Sequence, residues 1–588
     1  MRALFTSALA TCLLLSAPFA FGQVPAPPPP PPGPIRTLQG AGLPGMPPTR
    51  DNAAATSPAG TGRIRGRVLA AETGSPLRLA QVRLNVADPR VNRFANTDTE
   101  GRYEFTELPA ARYSVNASKA GYVMLQFGQQ RAFEPGRPLE LADGQIADNI
   151  DFSLPRGSVI TGRITDEYGE PIAQAQVFAM RYQYMPGGQR RLTPTSMPDM
   201  TDDLGQYRIF GLSPGEYLVS AMMRSFAMVN AGPAPSGDVS DPSGYPTTYF
   251  PGTTSPANAQ AVILGLGQEA AAYFSLASAR LARVTGRVID SQGQPIIGAM
   301  LQLRSSDGNM TMYLGGSMSQ PDGGFALVNV QPGEYSIEVR PQSRTINPNE
   351  AESASVPLTV ANENITGLLI TTGRGTTVSG RIIFDSKSAP PRGQNPLSIV
   401  ASPADPQMGP PMFFMDANGI VGEDGRFQLR GVNGKMLLRP TGIPPNWTLK
   451  SVTLDGQDIT DTTYEFKSSG TVAGVEVVIS DRSTSLSGTV RDSRGQQVKD
   501  YVVALFPREL KEGMDQRRFV RTTRPDQEGR YQTRGLPPGD YLAAAVESLE
   551  QGREWDPSFQ EQIRPRAKSF SLKEGESMTL DLPLETAP

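Results

Sequence analysis

At 588 residues the chain is too long for a single core, and 60 Gly, 54 Pro and 7% aromatic residues suit many short strands joined by tight turns. A formal net charge of -3, with no long charge run, argues against a nucleic-acid binder, which needs a basic face. The chain has no His and a single Cys, Cys12, which removes Ser-His-Asp and Cys-His catalysis and the usual zinc and copper sites.

Residues 1–22 read as a signal peptide. Arg2 supplies the positive start, apolar residues are densest at Leu13-Leu14-Leu15, and Ala20-Phe21-Gly22 places small residues where signal peptidase reads, giving cleavage after Gly22. Cys12 precedes the densest apolar run and follows Thr11, which argues against acylation. Without this segment the chain has no Cys to form a disulfide. No later stretch of 18 or more apolar residues occurs, so no transmembrane segment is expected. Residues 23–62, with Pro27 to Pro32 in one run, read as an extended, disordered tether.

Beyond it the chain repeats itself. An apolar-x-Gly-x-apolar strand opens each repeat, at Ile64-x-Gly66-x-Val68, Ile160-x-Gly162-x-Ile164, Val284-x-Gly286-x-Val288, Val378-x-Gly380-x-Ile382 and Leu486-x-Gly488-x-Val490. Period-2 apolarity means strand, and the central Gly implies close approach of a neighbouring backbone. A Gly-x-Pro-apolar turn and an Ala-x-apolar strand follow at Gly74 to Val82, Gly169 to Val177 and Gly293 to Leu301, and more weakly after Gly495. Next, a turn Gly precedes an aromatic by two positions: Gly101/Tyr103, Gly205/Tyr207, Gly323/Phe325, Gly425/Phe427 and Gly529/Tyr531. Asp98, Asp202, Asp322, Asp424 and Asp526 lie just upstream. In four repeats a second Tyr follows 12 residues after the turn Gly, at Tyr113, Tyr217, Tyr335 and Tyr541. The fourth repeat has Gly434-Lys435-Met436 there instead.

The predicted fold is all-β, a tandem array of five seven-stranded antiparallel β-sandwich modules at 63–155, 157–278, 281–372, 375–480 (divergent) and 483–586. Asp556-Pro557 before Ser558 to Ile563 predicts a short capped helix.

These signatures resemble the carboxypeptidase regulatory-like domain, which implies a transthyretin-like, carbohydrate-binding-like sandwich. The matching residues are Gly-Arg-Val/Ile, Gly-x-Pro-apolar-x-x-Ala-x-Val, Asp-x-x-Gly-x-Tyr/Phe and Pro-Gly-x-Tyr. The resemblance covers nearly all of 63–586 and is weak in the fourth repeat. It brings no carboxypeptidase activity, since the enzymes that carry the domain use His and Glu zinc ligands. The repeats are also similar to Cna-B repeats of bacterial surface proteins, which often form Lys–Asn isopeptide bonds. Repeats two and three contain no Lys and cannot form one.

The functional expectation is therefore a non-enzymatic exported protein, in the periplasm, on the outer surface or outside the cell. It would need no cofactor or metal and would hold a glycan or an envelope protein. The alternatives are a structural spacer and a hydrolase accessory module. Candidate ligand contacts are the loop aromatics Tyr182, Tyr184, Tyr245, Tyr249 and Phe250 of the second repeat, with Trp447 and Trp555, because a flat apolar ring matches the C–H face of a pyranose. They could equally pack on their own sandwich or on the next. The recurrent second Tyr reads as a tyrosine corner, buried and bonded to backbone. The Asp-rich turns read as backbone caps, too poor in oxygens for calcium. Met412-Phe413-Phe414-Met415 reads as a shielded satellite core.

Overall fold

A computed structural model of the protein describes residues 60–86, 92–223, 243–305, 316–341, 352–361, 363–386, 396–403, 418–444, 446–510 and 513–586. The export segment 1–22, nearly all of the tether and residues 412–415 lie outside them. The regular structure of the described residues is almost all strand, with one α-helix, Pro557–Ile563, started as expected by the Asp556 side chain accepting from Ser558 N–H.

The repeated motifs fold alike. In the first repeat the opening strand Gly62–Ala70 pairs antiparallel with the aromatic strand Arg102–Leu108. The same pair forms between Ser158–Thr165 and Gln206–Leu212, Ala282–Ile289 and Gly324–Val330, Gly375–Asp385 and Arg426–Val432, and Ser485–Arg491 and Arg530–Arg534. A second set of strands packs across it. In the first repeat this is Gln81–Asn85 between Arg93–Asn96 and Ala111–Ser118, and its alternating burial sends one face inward. Five core clusters result, each made of residues from one repeat.

The opening glycine is where the closing strand comes nearest. A Cβ at Gly66, Gly162, Gly286, Gly380 or Gly488 would overlap the carbonyl oxygen of Ile150, Ala272, Leu368, Val475 or Leu580. In three repeats the aromatic-strand hydroxyl donates to that same carbonyl: Tyr103 to Ile150, Tyr207 to Ala272 and Tyr531 to Leu580. Phe325 and Phe427 fill the position without a hydroxyl.

The antiparallel description needs one amendment. In every repeat the closing strand lies parallel to the opening one, as Phe152–Leu154 does beside Val68 to Ala70 and Ser469–Ser480 beside Gly375–Asp385. Side-by-side parallel strands require a connection that crosses the sandwich, and here the whole repeat is that connection.

Repeats two and five also bury the outer face of their second sheet. Val502–Pro507 is buried along its whole length. Its outer side meets Leu542, Ala544, Phe559 and Ile563 under the helix. In repeat two, Phe178, Met180, Leu192 and Leu218 are covered by Tyr249. The fourth repeat, which lacks the second Tyr, adds a strand, Thr448–Leu454, against its closing strand.

Candidate functional site

The second Tyr of each of four repeats has the same local geometry. The hydroxyls of Tyr113, Tyr217, Tyr335 and Tyr541 donate to the carbonyls of Pro109, Ser213, Gln331 and Pro537 at 2.6–2.9 Å, each four residues upstream. The rings are buried. Burial pushes the Tyr113 and Tyr217 hydroxyls up to about 12. The turn aspartates are equally spent on backbone: Asp98 accepts from Glu100 and Arg102 N–H, Asp202 from Leu204 and Gln206, and Asp526 from Glu528 and Arg530. Asp322 and Asp424 sit one residue before the turn Gly and accept from Gly324 and Arg426. Among the described residues, no group of three or more His, Cys, Asp and Glu is placed to hold a metal.

The aromatic candidates occupy four places. Tyr182 and Tyr184 lie at the far end of the hairpin Ala175–Tyr184/Arg190–Pro194, with the Arg190 guanidinium 4.1 Å from the Tyr182 ring centre. Both are half-buried. Trp555, in the turn before the helix, meets this hairpin: a Cβ at Gly188 would come 3.4 Å from its carbonyl, and one at Gly552 would come 2.9 Å from the Tyr184 carbonyl. Tyr249 is 5% exposed and strand-paired to Ser220, and Phe250 is edge-on to Phe274 at 6.1 Å. Tyr245 lines a small crevice with Met223 of its own repeat and Leu303 and Tyr335 of the next. Trp447 stands edge-on to Phe384 at 5.6 Å, against the fourth core. The structure therefore brings Tyr182, Tyr184 and Trp555 to one neighbourhood and leaves the others on separate cores.

That neighbourhood belongs to a larger seam joining repeats one, two and five. Arg524 of the fifth repeat, 4% exposed, donates to the Pro135 carbonyl at 2.7 Å, lies 3.7 Å from the Glu134 carboxylate and pairs with Asp500. Arg137 reaches the Asp500 carboxylate at 3.5 Å and the Lys499 carbonyl at 2.8 Å. Arg131 bonds Ser548 and lies 3.8 Å from Glu547. Gln551 N–H donates to the Phe133 carbonyl at 2.9 Å. From repeat two, the Arg181 guanidinium stacks 3.5 Å over the Phe133 ring and lies 3.3 Å from Glu550. Phe133 takes a left-handed φ of 62° to present that ring, a conformation a bulky residue rarely adopts without support around it.

Beside the seam, repeats one and five enclose a cleft of about 660 Å³, lined by Arg112, Pro135 and Glu140 on one side and by Arg521 to Arg524 and Gln532 to Arg534 on the other. Desolvation, then the Arg518 cation, lowers the Arg521 guanidinium from its ordinary value. Such an arrangement offers cationic donors to an anion.

Sequence reasoning missed Arg131, Arg137, Arg181, Arg524 and Glu134. Their partners across the seam are hundreds of positions away, so no local pattern marks them. One signal was available: the unbroken apolar runs Val502 to Phe506 and Tyr541 to Val546 mark a sheet covered on both faces.

Repeats one and three match the carboxypeptidase regulatory-like domain. The family model covers residues 63–154 and 283–364. Repeats two and five differ from them in an extended hairpin and in the covering loop and helix that bury the outer face of the second sheet. Among solved structures, the chain is similar to the Bacillus anthracis TIE protein, at 12% identity over 70% of this chain and 68% of that one, with a TM-score of 0.14. It is similar to a streptococcal ancillary pilin, at 11% identity over 53% and 98% with a TM-score of 0.18. It is also similar to GBS52, the minor pilin of Streptococcus agalactiae, at 12% identity over 37% and 97% with a TM-score of 0.20. No curated protein matches. Among the described residues, no helix is long and apolar enough to cross a membrane.

Proposed function

We propose that this chain is a non-catalytic, exported binding protein of the bacterial envelope, in which five sandwich modules form a scaffold and the ligand, a glycan, is held where modules meet. The observation that carries this reading is the seam closed by Arg524 between Glu134 and Asp500. Burying an arginine between two separate repeats is costly unless its partners are held in place, so the seam is a specified contact. It leaves a cleft beside it, and Tyr182, Tyr184 and Trp555 lie along the same seam. A spacer has no need of a fifth repeat that returns to the first and second.

A glycan array probed with the chain from residue 23 onward tests the reading. Specific retention is expected, and Tyr182→Ala should weaken it without changing the melting temperature if the hairpin contributes a stacking face. Failure to retain any glycan would overturn the glycan reading and leave the spacer or a protein-binding scaffold in its place.

A further inference from the structure

We propose that the cleft between repeats one and five is a binding site for an acidic oligosaccharide, whose carboxylates meet Arg521, Arg534 and Arg112 and whose hydroxyls meet Thr522, Thr533 and Gln532. The proposal rests on the glycan reading above and names the class of glycan.

Charge comes first. Four arginines and one carboxylate, Glu140, line the cleft. Arg524 is committed to Asp500 and Glu134. Among the described residues, the side chains of Arg112 and Arg521 make no hydrogen bond or ion pair, though their backbones are strand-paired. Arg534 meets only the Asn446 amide, at 3.3 Å. Glu140 lies across from Arg112 in the strand pairing, so at most one of these cations has an acid beside it. The ion pairs that close the seams differ. Arg439 and Arg518 meet Asp515 and Asp461 at 2.8 Å, and Arg137 and Arg181 meet Asp500 and Glu550 at 3.5 and 3.3 Å. Cationic side chains left without counter-charges around one cleft would be neutralised by an anion supplied from outside. Arg524, which lines the same cleft, leaves its buried Nε without an acceptor.

The lining also selects what carries the anion. It has no aromatic ring on which a neutral sugar could stack and no apolar pocket for a peptide side chain. It offers two threonine hydroxyls and a glutamine amide between the arginines, the donor and acceptor set that suits a polyhydroxylated acid. The site is held ready by its walls. Gly136 N–H donates to the Gln126 side chain at 2.6 Å, Arg524 fixes the Pro135 carbonyl, and Arg521 and Arg534 stand on paired strands.

Titration calorimetry of the chain from residue 23 onward tests the assignment, with short oligogalacturonate, a neutral galacto-oligosaccharide of equal length and polyglutamate as probes. Oligogalacturonate should bind, and more weakly as salt rises. Arg521→Ala and Arg534→Ala should each weaken it about tenfold, and Glu140→Gln should tighten it about threefold. Unchanged melting temperatures will show that the variants fold. The assignment is overturned if oligogalacturonate does not bind, if the double arginine variant binds it as well as the parent, or if polyglutamate binds more tightly. Retention of neutral glycans alone, unaffected by the arginine variants, overturns this site but keeps the glycan reading. Binding of no glycan of either kind overturns both.

Discussion

Tyr217 donates its hydroxyl four residues back along the chain while its ring fills the core, and Tyr113 does the same. Because burial raises both hydroxyls to about 12, the folded state keeps a proton that the unfolded chain gives up near 10. Their stabilisation is therefore complete below about pH 10 and is lost as pH climbs toward 12. An absorbance titration should show the exposed tyrosines ionising first, with the corner tyrosines following only in step with loss of the β-sheet signal. Ionisation of all tyrosines together near pH 10, in a chain that remains folded, would contradict the corner geometry. These positions were legible in the sequence because their logic is local: a turn Gly, a fixed interval and a Tyr. The opening glycines were legible for the same reason. The clash they avoid is with a distant carbonyl, yet the missing side chain shows in the strand pattern itself.

At the scale of elements, the fourth and fifth repeats are tied through Arg439, which lies 2.8 Å from Asp515 and 3.3 Å from Asp461, while Arg518 grips Asp461 and Arg517 grips Asp515. Thr462 and Met514 add a backbone bridge. Burial on its own would raise the Asp515 carboxyl, but the hydrogen bonds and charges of Arg517 and Arg439 outweigh it and hold the group below its ordinary value. A depressed carboxylate stabilises fully above the unfolded value, about 4, and that contribution disappears as pH falls through the folded one. Hydrogen exchange at residues 457–462 and 514–518 should thus quicken below about pH 4. Asp515→Asn should produce the same loosening at neutral pH, at a cost of about 3 kcal/mol for stranding two arginines. Exchange there that is indifferent to acid would remove the carboxylate from the tie. The divergent fourth repeat was recognisable from Lys435-Met436 in place of the corner, whereas the strand that compensates, Thr448–Leu454, carries no family signature.

For the molecule as a whole, the decisive contacts join residues that the sequence keeps far apart. Arg524 and Pro135 are 389 positions distant, and nothing near either one forecasts the other. Alternating apolarity specifies which face of a strand turns inward. It carries no information about which sandwich end meets which, because that choice is made by charges that look like ordinary solvated residues until both partners are placed. The aromatic candidates show the same limit: Tyr249 and Tyr182 are indistinguishable as loop aromatics, yet one is enclosed by its sheet and the other stands beside Arg190. Arg524→Ala should free the seam, raising hydrogen exchange in 127–138 and 547–556 together while leaving the third repeat's core strands Ala299–Ser305 and Gly333–Pro341 unchanged. The expected loss is about 3 kcal/mol, that of breaking a buried ion pair. Unchanged protection in both segments would mean that the first and fifth repeats are not locked.

The parallel pairing of first and last strands also sets a timetable. A ribosome delivers the N-terminus first, so every repeat must hold its opening strand unpaired on one side until about 80 to 110 further residues have appeared. Sandwiches then close one after another. The clasp between Glu134 and Arg524 joins the first repeat to the fifth, so the arginine cleft cannot take shape until the fifth repeat has followed the four before it.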